Sequence, residues 1–269
     1  MNYQEISPRS PFSEFIKCYW TLDDAAGNPR TQERVLPDGC VELIFHTGSL
    51  FTRIDEHGNT EKQPRSFIVG QIAQHTLLQP GRTIGVFAIR FRPGGMQPFL
   101  PAPLSEFVGA YVDVATLWGS KGRELEDRII TAPSAAVRIA IVEQLLLERL
   151  GGTAHVSHPI QTAVERIIAT HGSLPIEQLS AETGFHWRDL ERRFSASIGI
   201  SPKRFSKLAR FQHALALQRQ HGIVNLTQLT YAAGYYDQSH FIREFREFAG
   251  ITPSTFFGAS HPMAELFIT

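Results

Sequence analysis

The stretch GYYDQSHFIREFREFAGITP, Gly234 to Pro253, decides how the C-terminal part of this 269-residue chain folds. Its Phe241, Phe245 and Phe248 recur at i, i+4 and i+7, which lays them along one stripe of a helix. Ser239, Arg243 and Arg246 fall on the other side, so the helix offers a hydroxyl and two guanidinium groups outward. Gly234 predicts the turn before it, and Gly250 followed by Pro253 predicts its end.

Fifty residues upstream lies a second copy. LSAETGFHWRDLERRFSASIGISPKRF (Leu179 to Phe205) pairs with LTYAAGYYDQSHFIREFREFAGITPSTFF (Leu229 to Phe257) through Leu179 and Leu229, Gly184 and Gly234, and Phe185 and Tyr235. After one inserted residue the match resumes: Leu190 with Phe241, Phe194 with Phe245, Gly199 with Gly250, Pro202 with Pro253, and Phe205 with Phe256. The copies share apolar anchors and differ in their polar faces, as a repeated structural unit would.

Each copy reads as a helix, a glycine turn and a second helix. Asn225 caps one first helix, with Gln228 at capping-box spacing, and Pro175 fits the first turn of its counterpart. This is helix-turn-helix geometry, in which the second helix enters the major groove. Solenoids of helical hairpins need three or more repeats. Between the copies, PKRFSKLARFQHALALQR (Pro202 to Arg219) has Phe205, Leu208, Phe211 and Leu215 on one stripe and predicts one helix. Its length of roughly 27 Å approaches the roughly 34 Å between successive turns of one groove face.

The formal net charge is zero, but it is unevenly spread. From Arg188 to Arg219, eight basic residues (Arg188, Arg192, Arg193, Lys203, Arg204, Lys207, Arg210, Arg219) stand against Asp189 and Glu191. That excess predicts either a footprint on phosphates or a solvated helix face.

The two motifs, the connecting helix and the string DQSHF followed by F-x-x-x-x-G-I-T-P resemble the AraC/XylS family of bacterial transcription regulators over Pro159 to Phe257. The resemblance implies sequence-specific binding to duplex operator DNA and, as further partners, RNA polymerase, a small-molecule effector and a second copy of the chain. It places base-reading positions at Arg188, Glu191 and Arg192 in the first reading helix, and at Gln238, Ser239 and Arg243 in the second, with His240 beside them. Ser180 and Thr230 stand where the family usually has alanine, which bears on helix packing there.

The residue types agree with those roles. Arg188, Glu191, Arg192 and Ser195 project from one side of the first helix, while Trp187, Leu190 and Phe194 face inward. Arginine forks suit guanine O6 and N7; Glu191 either accepts from cytosine N4 or steadies Arg188 or Arg192. His240 reads as a phosphate contact at the helix start or as a packed ring, and the helix N-termini suit phosphates generally. Arg246, Lys203 and Arg204 complete the expected DNA-facing set, although Lys203, Arg204, Lys207 and Arg210 are each either phosphate contacts or solvated.

The first 150 residues differ. VELIFHTG, RSFIVGQ and TIGVFAIRFRPGG are short apolar runs separated by glycine and proline, which read as strands of an antiparallel sheet or small barrel. Helices follow at Lys121 to Ile130 and Ser134 to Leu150, the second amphipathic enough either to pair with another copy or to pack on its own barrel. The expected plan is an α+β chain. Residues 1–152 form a cupin-like sensor or dimerisation domain, as the resemblance implies; 153–159 form a linker; 160–269 form an all-α DNA-binding domain with two helix-turn-helix motifs.

Other chemistry finds little support. The sensor segment offers isolated His46, His57 and His75 in place of the H-x-H pair and glutamate of metal-dependent cupins, so neither metal nor cofactor is expected. Arg34, Asp38, Glu42, Arg90 and Arg92 either line a pocket for an anionic ligand or pair with one another and end strands. Asp38 and Gly39 read as a turn. Cys18 and Cys40 are too few for a thiolate zinc site, and the P-C-H-R context of an alkyltransferase is missing, which argues against an enzyme. No apolar run reaches membrane-spanning length and the start MNYQEISPRS lacks signal-peptide character, so a cytoplasmic protein is expected.

Overall fold

The computed structural model describes residues 2–24, 32–55, 57–150, 158–222, 225–266 and 268. The N-terminal half is built on strands β1 (Asn2–Ile6), β2 (Ile16–Asp24), β3 (Glu33–Val35), β4 (Val41–His46), β5 (Thr52–Ile54), β6 (Thr60–Lys62), β7 (Ser66–Val69), β8 (Thr76–Gln79), β9 (Ile84–Phe91) and β10 (Tyr111–Asp113). They form two antiparallel sheets, ordered β1-β2-β9-β4-β7-β10 and β3-β8-β5-β6. The three expected apolar runs are β4, β7 and β9.

Period-2 alternation explains why the runs are apolar throughout. On β2, Cys18, Trp20 and Leu22 face the small sheet and pack with Leu78, while Tyr19 faces the opposite side. On β9, Val86 and Ala88 face the small sheet, and Phe87, Ile89 and Phe91 face away. That far side is covered by helices α1 (Val114–Trp118), α2 (Ser120–Thr131) and α3 (Ala135–Arg149), so β7 and β9 are buried on both faces while the edge strand β1 stays largely exposed. Ser134 caps α3, whose Val142, Leu145 and Leu146 pack on its own domain while Val137 and Leu147 stay exposed.

The C-terminal half is helical: α4 (His158–Ala169), α5 (Ile176–Thr183), α6 (Trp187–Ile198), α7 (Pro202–His221), α8 (Leu226–Ala232), α9 (Gln238–Ala249), α10 (Pro253–Phe257) and α11 (Pro262–Glu265). One core joins both repeats, running from Leu179, Leu190 and Phe194 through Phe205 and Phe211 to Phe241, Phe245 and Phe248. The expected linker falls mostly on 151–157, outside the described residues, and His158 and Pro159 already belong to α4. At the other end α11 folds back onto β3, where Met263 joins the apolar cluster between the sheets.

Candidate DNA-reading surface

Both repeats fold as helix, left-handed turn and helix. Gly184 and Gly234 take φ of 71° and 78°, which non-glycine residues rarely adopt, and so turn the chain between α5 and α6 and between α8 and α9. Asn225 accepts from the amides of Thr227 and Gln228, capping α8 as its position predicts. The hydroxyls of Ser180 and Thr230 donate to the carbonyls of Phe185 and Leu226, so these departures from alanine are satisfied within their own helical units.

The reading faces are polar and open. On α6, Arg188, Glu191 and Arg192 are exposed and Ser195 is half-buried, while Leu190 and Phe194 are buried. Arg192 pairs at 3.4 Å with Asp189 rather than with Glu191. On α9, Gln238, Ser239, Arg243 and Arg246 are exposed, and Phe241, Phe245 and Phe248 are buried. His240 is half-buried, 3.5 Å from the Glu244 carboxylate and edge-on to Tyr235.

The connecting helix departs from expectation. Arg204 donates to Glu247 at 3.1 Å and to the main-chain carbonyl of Ala73 in the N-terminal half at 2.6 Å. Lys207 reaches the other oxygen of Glu247 at 3.0 Å, and Arg210 meets Glu244 at 3.1 Å. Arg204 therefore lies in the seam between the halves, and Lys207 and Arg210, both partly exposed, already have carboxylate partners. Glu244 and Glu247, two carboxylates outside the basic stretch, take three of its eight cations. Both sit on the inner side of α9 among its phenylalanines, a signal the sequence held: an acid at a core-facing position needs a cation. Among the described residues, Arg188, Lys203, Arg243 and Arg246 make no ion pair. The cations without an ionic partner thus include two on the face of α9, one on α6 and one at the start of α7.

Of the five residues considered for a ligand site, Arg90, Glu42 and Asp38 meet in one ion cluster, Asp38 and Arg92 line one cleft, and Arg34 reaches α9. Arg90, almost fully buried, donates to Glu42 at 2.8 Å and lies 3.5 Å from Asp38; these carboxylates hold its charge against the burial that opposes it. Glu42 also accepts from the Trp20 indole. Arg34 donates to the carbonyl of Ala249 at 2.7 Å, and Arg92 to that of Ser13 at 2.9 Å. Asp38 accepts from the Cys40 amide and Gly39 has a φ of 83°, so they make the expected turn. Between the sheets, a cavity of about 50 Å³ is lined by Trp20, Glu42, His46 and Tyr111. Burial pushes His46 down to about 4, which keeps its ring neutral beside Gln63. It also pushes the Cys18 thiol up to about 11, far from an activated nucleophile. No group of three or more potential metal ligands occurs among the described residues, and no described helix is long and apolar enough to cross a membrane.

Residues 179–259 match a family described as a helix-turn-helix domain, and residues 4–113 match a domain of unknown function, DUF6597. No curated protein matches the chain. Among solved structures, the fold is similar to that of ToxT from Vibrio cholerae, at 10% identity and a TM-score of 0.52 over 89% of this chain and 98% of that one. ToxT bound to an unsaturated fatty acid matches at 11% identity and a TM-score of 0.44, covering 88% and 92% of the two chains. The AraC-like transcriptional activator CuxR matches at 10% identity and a TM-score of 0.25, covering 80% and 87%. With two helix-turn-helix units on one connecting helix, behind a DUF6597 domain, the chain is built as a DNA-binding transcription regulator.

Proposed function

We propose that the chain reads two short blocks of duplex DNA about one helical turn apart, with α6 in one stretch of major groove and α9 in the next. Arg188, Glu191, Arg192 and Ser195 would face bases in the first, and Gln238, Ser239, Arg243 and Arg246 in the second, with Lys203 and His240 at phosphates. One observation carries this reading. In each repeat the phenylalanine and leucine anchors turn inward, while Arg188, Lys203, Arg243 and Arg246 have no ion pair among the described residues. Unspent arginines on exposed helix faces suit guanine edges and phosphates. The 20 residues of α7 give a spacer of roughly 30 Å, near one groove repeat.

The N-terminal half is proposed as the modulating domain, acting through a small molecule or through pairing of two chains. A cleft of about 650 Å³ opens between it and α7, lined by Phe205, Leu208 and Leu217 and by Lys17, Arg92 and Asp38. Apolar side chains beside Lys17 and Arg92 suit an amphipathic anion, whereas the 50 Å³ cavity between the sheets has room for little more than a water or two.

The test is selection of bound duplexes from a randomised pool by the full chain, followed by a salt titration on the winner. Two enriched blocks about one turn apart are expected, with affinity falling steeply as salt rises. Binding that falls with salt but enriches no sequence would replace the reader with an architectural protein.

A further inference from the structure

Six residues of the N-terminal half, Gly70-Gln-Ile-Ala-Gln-His75, cross from β7 to β8 without regular structure. They touch both reading units at once. Gln71, 1% exposed, packs on Gly199 at the end of α6, where an added Cβ would lie 2.9 Å from the Gln71 Cγ. Ala73 accepts from Arg204 in the first turn of α7. The His75 amide donates to the carbonyl of Phe248 at 2.8 Å, and its ring lies so close over Gly250, at the end of α9, that a Cβ there would sit 2.0 Å from Cε1. Arg34 on β3 takes the next carbonyl of α9, that of Ala249.

The segment is itself firmly held. Gly70 donates to Ala110 at 3.2 Å, Gly109 donates to the Gln71 carbonyl at 2.9 Å, and all four residues of β7 are buried. The Gln71 amide also donates to the Gly39 carbonyl at 2.7 Å, and Gly39 abuts Phe205 of α7. Each contact with a reading helix is made at its C-terminal end, and Arg188, Glu191, Arg192, Ser239 and Arg243 stay exposed. The connecting helix and the common core hold both units from one side. A rigid segment bearing on both far ends restrains the rocking that this packing leaves.

We propose that residues 70–75 are a brace that fixes the separation of the two reading units, so that the N-terminal domain determines which half-site spacing the protein accepts. This rests on the two-block reading above, and deepens it. One added base pair moves a half-site by about 3.4 Å and turns it by about 34°. A braced pair of readers cannot follow that change; a loosened pair can.

The experiment measures affinity of the full chain for the selected operator and for duplexes with the spacer lengthened or shortened by one base pair. It compares the wild type with the double variant Gln71→Ala, His75→Ala. The wild type is expected to lose about tenfold or more on either change, equivalent to about 1.4 kcal/mol, and the variant about threefold or less. His75→Ala alone keeps the amide bond to Phe248 and supplies the same comparison should the double variant unfold. Variants that fold and retain the wild-type spacing profile overturn the brace alone. A wild type that selects no pair of blocks overturns the two-block reading and the brace with it.

Discussion

The two reading units share their apolar anchors and differ in what holds the reading helix behind them. In the first, α6 is pinned mainly by apolar packing: Leu190, Phe194 and Ile198 are buried, and its ion pair, Arg192 with Asp189, lies on the exposed side. In the second, α9 adds buried or half-buried carboxylates, Glu244 and Glu247, that take Arg210, Lys207 and Arg204 of α7. The single inserted residue, Tyr236, is 86% exposed and precedes Asp237, which caps α9; His186 occupies the corresponding place before α6 and makes no side-chain cap. Equal anchors with unequal clamps imply one unit tied to the connecting helix by charge as well as packing, and another held by packing.

Truncating the anchors tests the shared part and should have the largest effect. Phe194→Ala and Phe245→Ala are each expected to cost about 3 to 5 kcal/mol of stability in urea unfolding followed by circular dichroism. Phe245 should stand at the upper end, since its ring contacts those of Phe211, Phe241, Phe256 and Phe257. Equal losses would show that the wider aromatic cluster adds nothing. The clamps come next. Glu244→Ala leaves Arg210, 17% exposed, without its carboxylate and should cost about 3 kcal/mol, whereas Asp189→Ala on the exposed pair should cost under about 0.5 kcal/mol. Similar values for the two would erase the distinction between the units.

These differences show which parts of the protein could be read in advance. The anchors, the glycine turns, the Asn225 cap and the strands β4, β7 and β9 were legible because each depends on residues within a few positions of one another. The fate of Arg34 and Arg204 was not. Their partners are main-chain carbonyls, of Ala249 and Ala73, and no side chain in the sequence advertises such an acceptor. Arg34 thus reads as a pocket or strand-end residue, and Arg204 as a phosphate contact or a solvated side chain, until the halves are placed together. The segment GQIAQH is equally silent, since its contacts depend on where two distant helices end. Glu244 and Glu247 carry the clue to the partners of Arg204, Lys207 and Arg210, being acids that fall beside the phenylalanine stripe of α9.

Base contacts separate the units functionally, with effects of middle size. Arg192→Ala and Arg243→Ala should each lose about 1 to 3 kcal/mol of binding free energy and relax preference at one base pair, in different blocks of the operator. Selection repeated with each variant checks this. A loss uniform across sequences would make that arginine a phosphate anchor, and losses confined to one block for both would dissolve the two-unit arrangement.

The caps give the smallest and most local contrast. Asp237 accepts from the His240 amide at 2.7 Å, so Asp237→Ala should cost about 1 kcal/mol. His186 already has the extended backbone of a capping residue, φ −59° and ψ 143°, but lacks a capping bond. His186→Asn should therefore stabilise the protein by about 0.5 to 1 kcal/mol, its side-chain oxygen accepting from the exposed amides at the start of α6 without adding charge near phosphate. A gain in urea midpoint with the selected operator unchanged would mean that α6 reads DNA with its first turn intact. A gain in stability with weaker binding would mean that the uncapped amides of α6 themselves meet a phosphate, which the new side chain then displaces.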